Sequence, residues 1–184
     1  MSLTYSKMLP LGTKLPSFNL TNVLTGDDFS SDSLSNDSGK VIMFICNHCP
    51  YVIHYHDELV SLIKEYVNKN IEFVAISSND VENYPQDSPK NMKILFENLG
   101  LTIPYLYDES QGIAKSYMAE CTPEFYFFDN NDLLIYRGRL DDSSPGNDKS
   151  ITGKDLRSAI ENFLSGTSVN KHQNPSMGCN IKWK

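Results

Sequence analysis

Two cysteines, Cys46 and Cys49, are separated by two residues within the stretch V-I-M-F-I-C-N-H-C-P-Y-V at residues 41–52. An apolar run with strand character leads into Cys46, and an amphipathic helical pattern follows Cys49. The sequence therefore predicts a dithiol at a strand-to-helix junction. Unbonded N–H groups in the first helical turn, and the positive end of the helix dipole, favour a thiolate at such a position. Because only a thiolate attacks a disulfide or a peroxide, the spacing predicts redox chemistry.

Two neighbours of the cysteines support this interpretation. His48 lies between them, and in its protonated form it would add positive charge that lowers the pKa of an adjacent thiol. Pro50 is tolerated only near the beginning of a helix, because deeper inside it would break the hydrogen-bond ladder. The helix is therefore expected to begin close to Cys49.

The composition excludes several classes of function. The chain has 16 basic and 23 acidic residues and a formal net charge of −7, which argues against nucleic acid as a partner. No segment approaches the roughly 20 apolar residues of a membrane span, and the N-terminus lacks the apolar core of a secretory signal. We therefore expect a cytoplasmic protein with no membrane partner. Four cysteines are too few for a disulfide scaffold, which favours catalysis or metal binding at Cys46 and Cys49.

Hydrophobic periodicity predicts one α/β domain over residues 1–184, with a core at about 16–166 and an irregular C-terminal tail at 167–184. A β-hairpin extension is expected near the N-terminus, and a capping box of Thr152 and Asp155 is expected to begin the last helix. The other predicted elements are strands at 41–45, 71–77 and 105–107, helices at 50–68, 89–99, 111–118 and 153–165, and a hairpin at 125–137. Such alternation predicts a central mixed sheet with helices on both faces.

A C-x-x-C at a strand-to-helix junction resembles the redox motif of thioredoxin-like proteins. Proteins of this type carry a cis-proline just before the strand that leads into the final hairpin, and Thr122-Pro123 occupies that place here. Longer stretches resemble a bacterial peroxiredoxin-like group of the redoxin, or AhpC/TSA, superfamily that has a C-x-x-C motif. These stretches are F-I-C-N-H-C-P-Y-V, Y-P-Q-D-S-P, C-T-P-E-F-Y-F-F-D, Y-R-G-R-L-D-D and G-C-N-I-K-W-K.

The resemblance implies a thioredoxin-like fold and a thiol-disulfide oxidoreductase with an antioxidant role. It implies no cofactor beyond a redox-active disulfide formed by Cys46 and Cys49. Protein or small-molecule disulfides and thiols would be its partners, with peroxides as a further class, and the backbone of Thr122 would pair with an extended partner chain. By thioredoxin analogy Cys46 attacks and Cys49 resolves, whereas the peroxiredoxin register reverses these roles. Glu124, just after Pro123, is either a proton acceptor near the thiols or a solvated residue.

A thiol peroxidase with Cys49 as the attacking residue is the main alternative. The peroxiredoxin motif P-x-x-x-(T/S)-x-x-C, aligned on Cys49, puts Cys46 at the Thr/Ser position and Ile42 at the proline. Both positions depart from the motif. The family's arginine is also missing near residues 122–124, which leaves Arg137 and Arg139 as the remaining cations. Without a fixed cation and hydroxyl, a peroxide receives little preorganised electrostatic help.

The other cysteines and a metal site complete the alternatives. Cys121 is expected near the dithiol, either as an extra redox thiol or as a small buried apolar residue. Cys179 in the tail is a second possible redox thiol, able to resolve a sulfenic acid or a mixed disulfide, or else a packed residue. A non-enzymatic redox sensor or zinc-holding module is the third reading, with Cys46, Cys49, His54 and His56 as ligands. The two histidines lie about 200° apart around a helix, which disfavours convergence, and no metal is expected.

Overall fold

The structure is a computed structural model, and it describes residues 3–184. The strands of this region are β1 (Leu3–Tyr5), β2 (Asn19–Asn22), β3 (Asp28–Ser30), β4 (Gly39–Phe44), β5 (Ile71–Ser77), β6 (Tyr105–Tyr107), β7 (Cys121–Thr122), β8 (Glu124–Phe128), β9 (Leu134–Gly138) and β10 (Met177–Asn180). The helices are α1 (Pro50–His54), α2 (His56–Tyr66), α3 (Pro89–Leu99), α4 (Gly112–Ser116) and α5 (Lys154–Leu164). Two 3₁₀ turns, Ser31–Ser33 and Pro85–Asp87, complete the elements.

Seven strands form the main sheet in the order β3-β2-β6-β5-β4-β8-β9. Strand β4 lies inside this sheet, parallel to β5 and antiparallel to β8. Every residue of β4 is buried, as expected for a strand covered on both faces. The strand that leads to the two cysteines is therefore a rigid part of the protein.

Helices cover both faces of the main sheet, which confirms the predicted architecture. On one face, Val41 and Met43 of β4 pack in one apolar cluster with residues of α2, α3 and α5. On the other face, Ile42 and Phe44 share a second cluster with α4 and with the chain before β2. This alternation follows from the period of two along a strand.

The C-terminal tail contains a strand, so the prediction of an irregular tail was wrong. Strand β10 pairs antiparallel with β1 and with β7, which gives a second sheet in the order β1-β10-β7. Its sequence M-G-C-N is only four residues long, which is too short to establish a period of two. Strand β10 forms through hydrogen bonds to β1 and β7. These partners lie far away in the chain, and local periodicity does not reveal them.

The helix predicted for residues 50–68 is interrupted. Helix α1 ends at His54, Tyr55 adopts φ −98° and ψ 0°, and α2 begins at His56. The Tyr55 hydroxyl donates a hydrogen bond of 2.6 Å to the Ser143 carbonyl oxygen. This long-range bond holds the break in place. The apolar residues keep helical spacing across Tyr55, so the sequence itself gives no sign of the break.

The predicted capping box before α5 was also wrong. Gly153 is the N-cap residue, with φ 61°, and no side chain caps this helix end. The backbone N–H groups of Thr152 and Gly153 donate instead to Asp141 Oδ2, at 2.7 and 2.8 Å. Asp155 accepts a hydrogen bond from Arg139 Nε at 2.7 Å. The Leu140 carbonyl oxygen accepts the N–H groups of Asp155 and Leu156 in the first turn, so Leu140 and Asp141 together replace the expected local cap.

Among the described residues, no helix combines the length and the apolar character that crossing a membrane requires.

Candidate redox site

The two cysteines lie where the main sheet ends and α1 begins. Ile45 still continues the sheet, because its N–H donates to the Ile76 carbonyl oxygen at 3.0 Å. Cys49 is the N-cap residue of α1 and Pro50 is the first helical residue. Cys46 is only 1% exposed and Cys49 is fully buried. Strand, turn and helix start thus hold both thiols inside the protein.

Thr122 contacts both thiols. Its hydroxyl lies 3.3 Å from Cys46 Sγ, and its carbonyl oxygen accepts a hydrogen bond of 3.1 Å from Cys49 Sγ. The peptide bond between Thr122 and Pro123 is cis. This segment connects β7 to β8, which pairs with β4, so the backbone places Thr122 directly against the dithiol.

The two thiols of the dithiol differ in pKa. The hydrogen bond from the Cys46 thiol, together with donors on Cys179 and Thr122, outweighs burial and lowers the pKa of Cys49 to about 5. The bond to Cys49 and burial raise the pKa of Cys46 well above its usual range. Cys49 Sγ donates to the Thr122 carbonyl oxygen only when Cys49 is protonated, so this hydrogen bond describes the state in which both thiols carry their protons. In the singly deprotonated pair, the negative charge resides on Cys49 and the proton on Cys46.

A buried carboxylate organises the turn between the cysteines. Asp87, fully buried, accepts hydrogen bonds from His48 Nδ1 at 2.6 Å and from Asn79 Nδ2 at 2.7 Å. It also accepts the backbone N–H groups of Asn47 at 2.8 Å and His48 at 3.2 Å. The charge of Asp87 contributes to the raised pKa of Cys46. His48 is thus held in place by a residue that sequence reasoning missed.

Asp87 was missed because nothing local marks it as a site residue. It ends the 3₁₀ turn Pro85–Asp87 and precedes α3, where an acidic residue has an ordinary structural explanation. The only signal in the sequence was the stretch Y-P-Q-D-S-P, in which Asp87 is the acidic residue.

The His48 ring packs on a tyrosine that also contacts the C-terminal tail. It stacks on Tyr84, with ring centroids 5.6 Å apart and an interplanar angle of 10°. Lys182 Nζ lies 5.6 Å from the centre of the same tyrosine ring. The turn, the loop before α3 and the tail therefore pack together around the dithiol.

Glu124 and Cys121 form a separate buried cluster. The Glu124 carboxylate accepts the backbone N–H of Glu120 at 3.0 Å, that of Cys121 at 3.3 Å and the Tyr126 hydroxyl at 2.7 Å. Cys121 Sγ lies 3.7 Å from Glu124 Oε2. Burial raises the pKa of both Cys121 and Glu124. The hydrogen bonds of Glu124 therefore stabilise the connection between β7 and β8. Glu124 forms none of these bonds with the sulfurs of Cys46 and Cys49.

Cys179 joins the dithiol instead. Strand β10 places it opposite Thr122, and it lies in the same apolar cluster as Cys46 and Cys49. Burial and hydrogen bonding with Cys49 raise the pKa of Cys179 to about 12. The structure thus brings three of the four cysteines together.

The residues considered as alternative zinc ligands do not converge. His54 Nε2 lies 3.1 Å from Ser143 Oγ, away from the dithiol, and His56 Nε2 is buried on its own without a hydrogen-bond partner in the described region. Cys46, His48 and Asp87 do offer ligand atoms within 4.8 Å of one another. Because the Asp87 oxygens already accept four hydrogen bonds, a metal bound through Asp87 would compete with these bonds.

The arginines, on which fast peroxide chemistry would depend, are engaged elsewhere. Arg137 donates to the Leu9 carbonyl oxygen at 2.8 Å and to Gln173. Arg139 pairs with Asp155, and Arg157, the third arginine of the chain, pairs with Glu58 and Glu65. The cations considered for peroxide activation are therefore committed to structural contacts.

Comparison with known proteins identifies the family. The model of the AhpC/TSA family matches residues 11–137. The chain belongs to the AhpC/TSA family. This match includes both cysteines of the C-x-x-C motif and the Thr122-Pro123 bond, but it stops before β10. No match was found among curated proteins.

Solved structures support the same fold. The chain is 51% identical to an uncharacterized conserved protein from Geobacillus kaustophilus, over 100% of this chain and 97% of that one, with a TM-score of 0.98. It is 37% identical to a hypothetical protein from Sinorhizobium meliloti 1021, over 98% of each chain, with a TM-score of 0.95. A secreted disulfide oxidoreductase of Mycobacterium tuberculosis is 16% identical over 81% of this chain and 95% of that one, with a TM-score of 0.59. The fold is therefore thioredoxin-like.

Proposed function

We propose that this protein is a thiol-disulfide oxidoreductase that cycles Cys46 and Cys49 between a dithiol and a disulfide, in an antioxidant role. The observation that carries the proposal is the contact of both sulfurs with Thr122, the residue before the cis-proline. A single residue thus holds the two thiols side by side, where each can bond to the other. The fold and the AhpC/TSA family support the same class of chemistry.

The lowered pKa of Cys49 and the raised pKa of Cys46 favour Cys49 for the first step. Its thiolate attacks one sulfur of a substrate disulfide, which forms a mixed disulfide and releases the other half of the substrate as a thiolate. Cys46 then loses its proton and attacks Cys49 Sγ, which releases the second half. The two electrons of the dithiol pass to the substrate, and an external thiol donor returns them when it reduces the Cys46–Cys49 disulfide.

Peroxide is the less favoured substrate, although the Thr122 hydroxyl lies close to the dithiol. A peroxidase also needs a cation that stabilises charge on the leaving oxygen. All three arginines pair elsewhere, which is why we place disulfides ahead of peroxides. Slow reaction with hydrogen peroxide is expected to remain.

Stopped-flow oxidation of the reduced protein tests the proposal. A small disulfide and hydrogen peroxide are compared on the wild type, Cys46→Ser, Cys49→Ser and the control Cys121→Ser. We expect fast loss of thiol with the disulfide in the wild type, Cys46→Ser and Cys121→Ser, and its loss in Cys49→Ser. Wild-type protein should end with a disulfide between Cys46 and Cys49.

Two outcomes would contradict the proposal. If peroxide oxidises the wild type faster than the disulfide does, the protein is a peroxidase. If Cys49→Ser reacts with the disulfide as fast as the wild type, the dithiol is not the reacting group.

A further inference from the structure

The C-terminal strand occupies the sheet edge next to the dithiol. In the antiparallel pairing of β10 with β7, Cys179 lies opposite Thr122 and Asn180 lies opposite Cys121. Gly178 comes so close that an added Cβ would lie 2.0 Å from the Thr122 carbonyl oxygen. An extended chain that binds at a sheet edge forms this kind of backbone pairing. Here a segment of the protein itself fills the edge.

The tail is firmly held in this position. The Ile181 N–H donates to the Glu120 carbonyl oxygen at 2.9 Å, and the Lys182 N–H donates to Asn79 Oδ1 at 2.9 Å. Gln111 Nε2 donates to the Lys182 carbonyl oxygen at 2.8 Å. These bonds on the C-terminal side of Cys179 fix its register against Thr122.

The register aligns three sulfurs. Cys49 Sγ lies 3.1 Å from the carbonyl oxygen of Thr122, the residue with which Cys179 pairs, and Cys179 lies in the same apolar cluster as Cys46 and Cys49. Cys46 approaches the same threonine from the hydroxyl side, at 3.3 Å. Thr122 therefore brings Cys46, Cys49 and Cys179 together at one residue.

We propose that Cys179 is a third redox thiol, which exchanges with the Cys46–Cys49 disulfide to give a Cys49–Cys179 disulfide. This inference rests on the proposed function. The Cys179 thiol gives up its proton, and its sulfur attacks Cys49 Sγ. The bond from Cys49 to Cys46 breaks, and Cys46 leaves with the electron pair and takes up a proton. The exchange is redox-neutral, so it needs no further oxidant.

Cys46→Ser provides the decisive experiment, because it leaves Cys49 with only one neighbouring thiol. The reduced variant is treated with one equivalent of 5,5′-dithiobis(2-nitrobenzoate), and its remaining thiols are blocked in acid. Trypsin then separates Cys49 (residues 41–64), Cys121 (116–137) and Cys179 (172–182) into three peptides. We expect release of both aromatic thiolates and a disulfide that joins peptides 41–64 and 172–182. Release of one thiolate, with Cys49 left as a mixed disulfide, would overturn the proposal.

A glycine substitution tests the role of the strand. In Cys46→Ser/Gly178→Ala the added methyl group meets the Thr122 carbonyl, so β10 should move away and the rate of cross-link formation should fall about tenfold or more, as effective concentration is lost. Cys46→Ser/Gly112→Ala is the matched control, because Gly112 has only a serine side chain nearby and should cross-link normally. Equal rates in both double variants would show that strand pairing does not present Cys179.

Two further samples, oxidised wild type and Cys179→Ser, separate a folding defect from a failure of the proposed exchange. Thermal unfolding is measured on each variant, and if Cys46→Ser does not fold, the same peptide map is made on oxidised wild type. The joined peptides are expected there as well, and their absence would overturn the proposal. Cys179→Ser should still form the disulfide within peptide 41–64. Failure of the Cys179 link therefore leaves the proposed function intact, whereas failure of Cys179→Ser to form that disulfide counts against the proposed function.

Discussion

A few hydrogen bonds to sulfur distinguish the pKa values of the two cysteines. Cys46 and Cys49 have the same side chain and nearly the same burial, so burial alone cannot distinguish them. Cys49 accepts bonds from the Cys46 thiol and from Cys179, while the charge of Asp87 acts against a thiolate on Cys46. Because a bond donated to a charged group stabilises that charge, the negative charge collects on Cys49.

A pH titration of the reduced protein checks this assignment. The pKa of Cys49 is lowered to about 5, so its thiolate should persist from neutral pH downwards and disappear as the pH falls through about 5. Ultraviolet absorbance of the thiolate measures this transition. Cys49→Ser should remove it, and Cys121→Ser, the control, should leave it unchanged. A midpoint near the ordinary thiol value of about 8.5 would contradict the assignment.

Among individual residues, the sequence predicted the two cysteines and the segment that contacts them, but not the side chains that hold the turn between the cysteines. Cys46, Cys49, Thr122 and Pro123 could be predicted because a short motif and a family resemblance mark them. Asp87 could not be predicted, because the 3₁₀ turn Pro85–Asp87 comes close to the C-x-x-C segment only when α3 packs on the sheet. Glu124 was considered near the thiols on the basis of its place in the chain, and its side chain turns to the backbone of β7 instead.

Besides β10, which carries Cys179, three elements meet at the site. The turn from β4 to α1 carries the dithiol, β7 supplies Thr122, and the 3₁₀ turn Pro85–Asp87 supplies the carboxylate that binds two backbone N–H groups between the cysteines. These bonds resemble a cap, since they satisfy N–H groups that no helix or strand uses. The 3₁₀ turn therefore controls the shape of the C-x-x-C segment.

Asp87→Asn tests this control. The amide keeps the size of the side chain but loses the charge and part of the accepting capacity, so charge-assisted bonds to buried donors are lost. We expect the free energy of unfolding to fall by about 2 kcal/mol, measured by urea denaturation. Asp148→Asn, at an exposed position, is the control and should leave it unchanged. Equal stability of the two variants would mean that Asp87 does not hold the turn.

The elements themselves were predicted unevenly, and the pattern has a physical cause. Helix α3 begins at Pro89 and ends before Gly100, which adopts φ 64°, as its local stop and start signals predict. The break at Tyr55 and the strand β10 depend on hydrogen bonds to Ser143 and Thr122, far away in the chain. Local patterns carry propensity and periodicity, whereas these features are set by tertiary contacts.

In the whole molecule, both ends of the described chain meet over the site. Strand β1 pairs with β10, and β10 pairs with β7, so a small sheet built from chain ends lies beside the main sheet. Its central strand holds the edge along Thr122 that an extended polypeptide would need. A small disulfide needs no such edge, because it reacts through its sulfur atoms alone. We therefore expect the protein to react faster with small disulfides than with polypeptide disulfides.

The ratio of two rates tests this preference. The wild type should react faster with a small disulfide than with the disulfides of insulin, because β10 must leave the edge before a polypeptide can pair there. Gly178→Ala weakens the pairing of β10 through its clash with the Thr122 carbonyl, so it should speed the insulin reaction and bring the two rates closer together. Gly112→Ala should keep the wild-type ratio. If Gly178→Ala leaves the ratio unchanged while remaining folded, β10 does not restrict access, and the burial of Cys49 must be relieved by motion elsewhere.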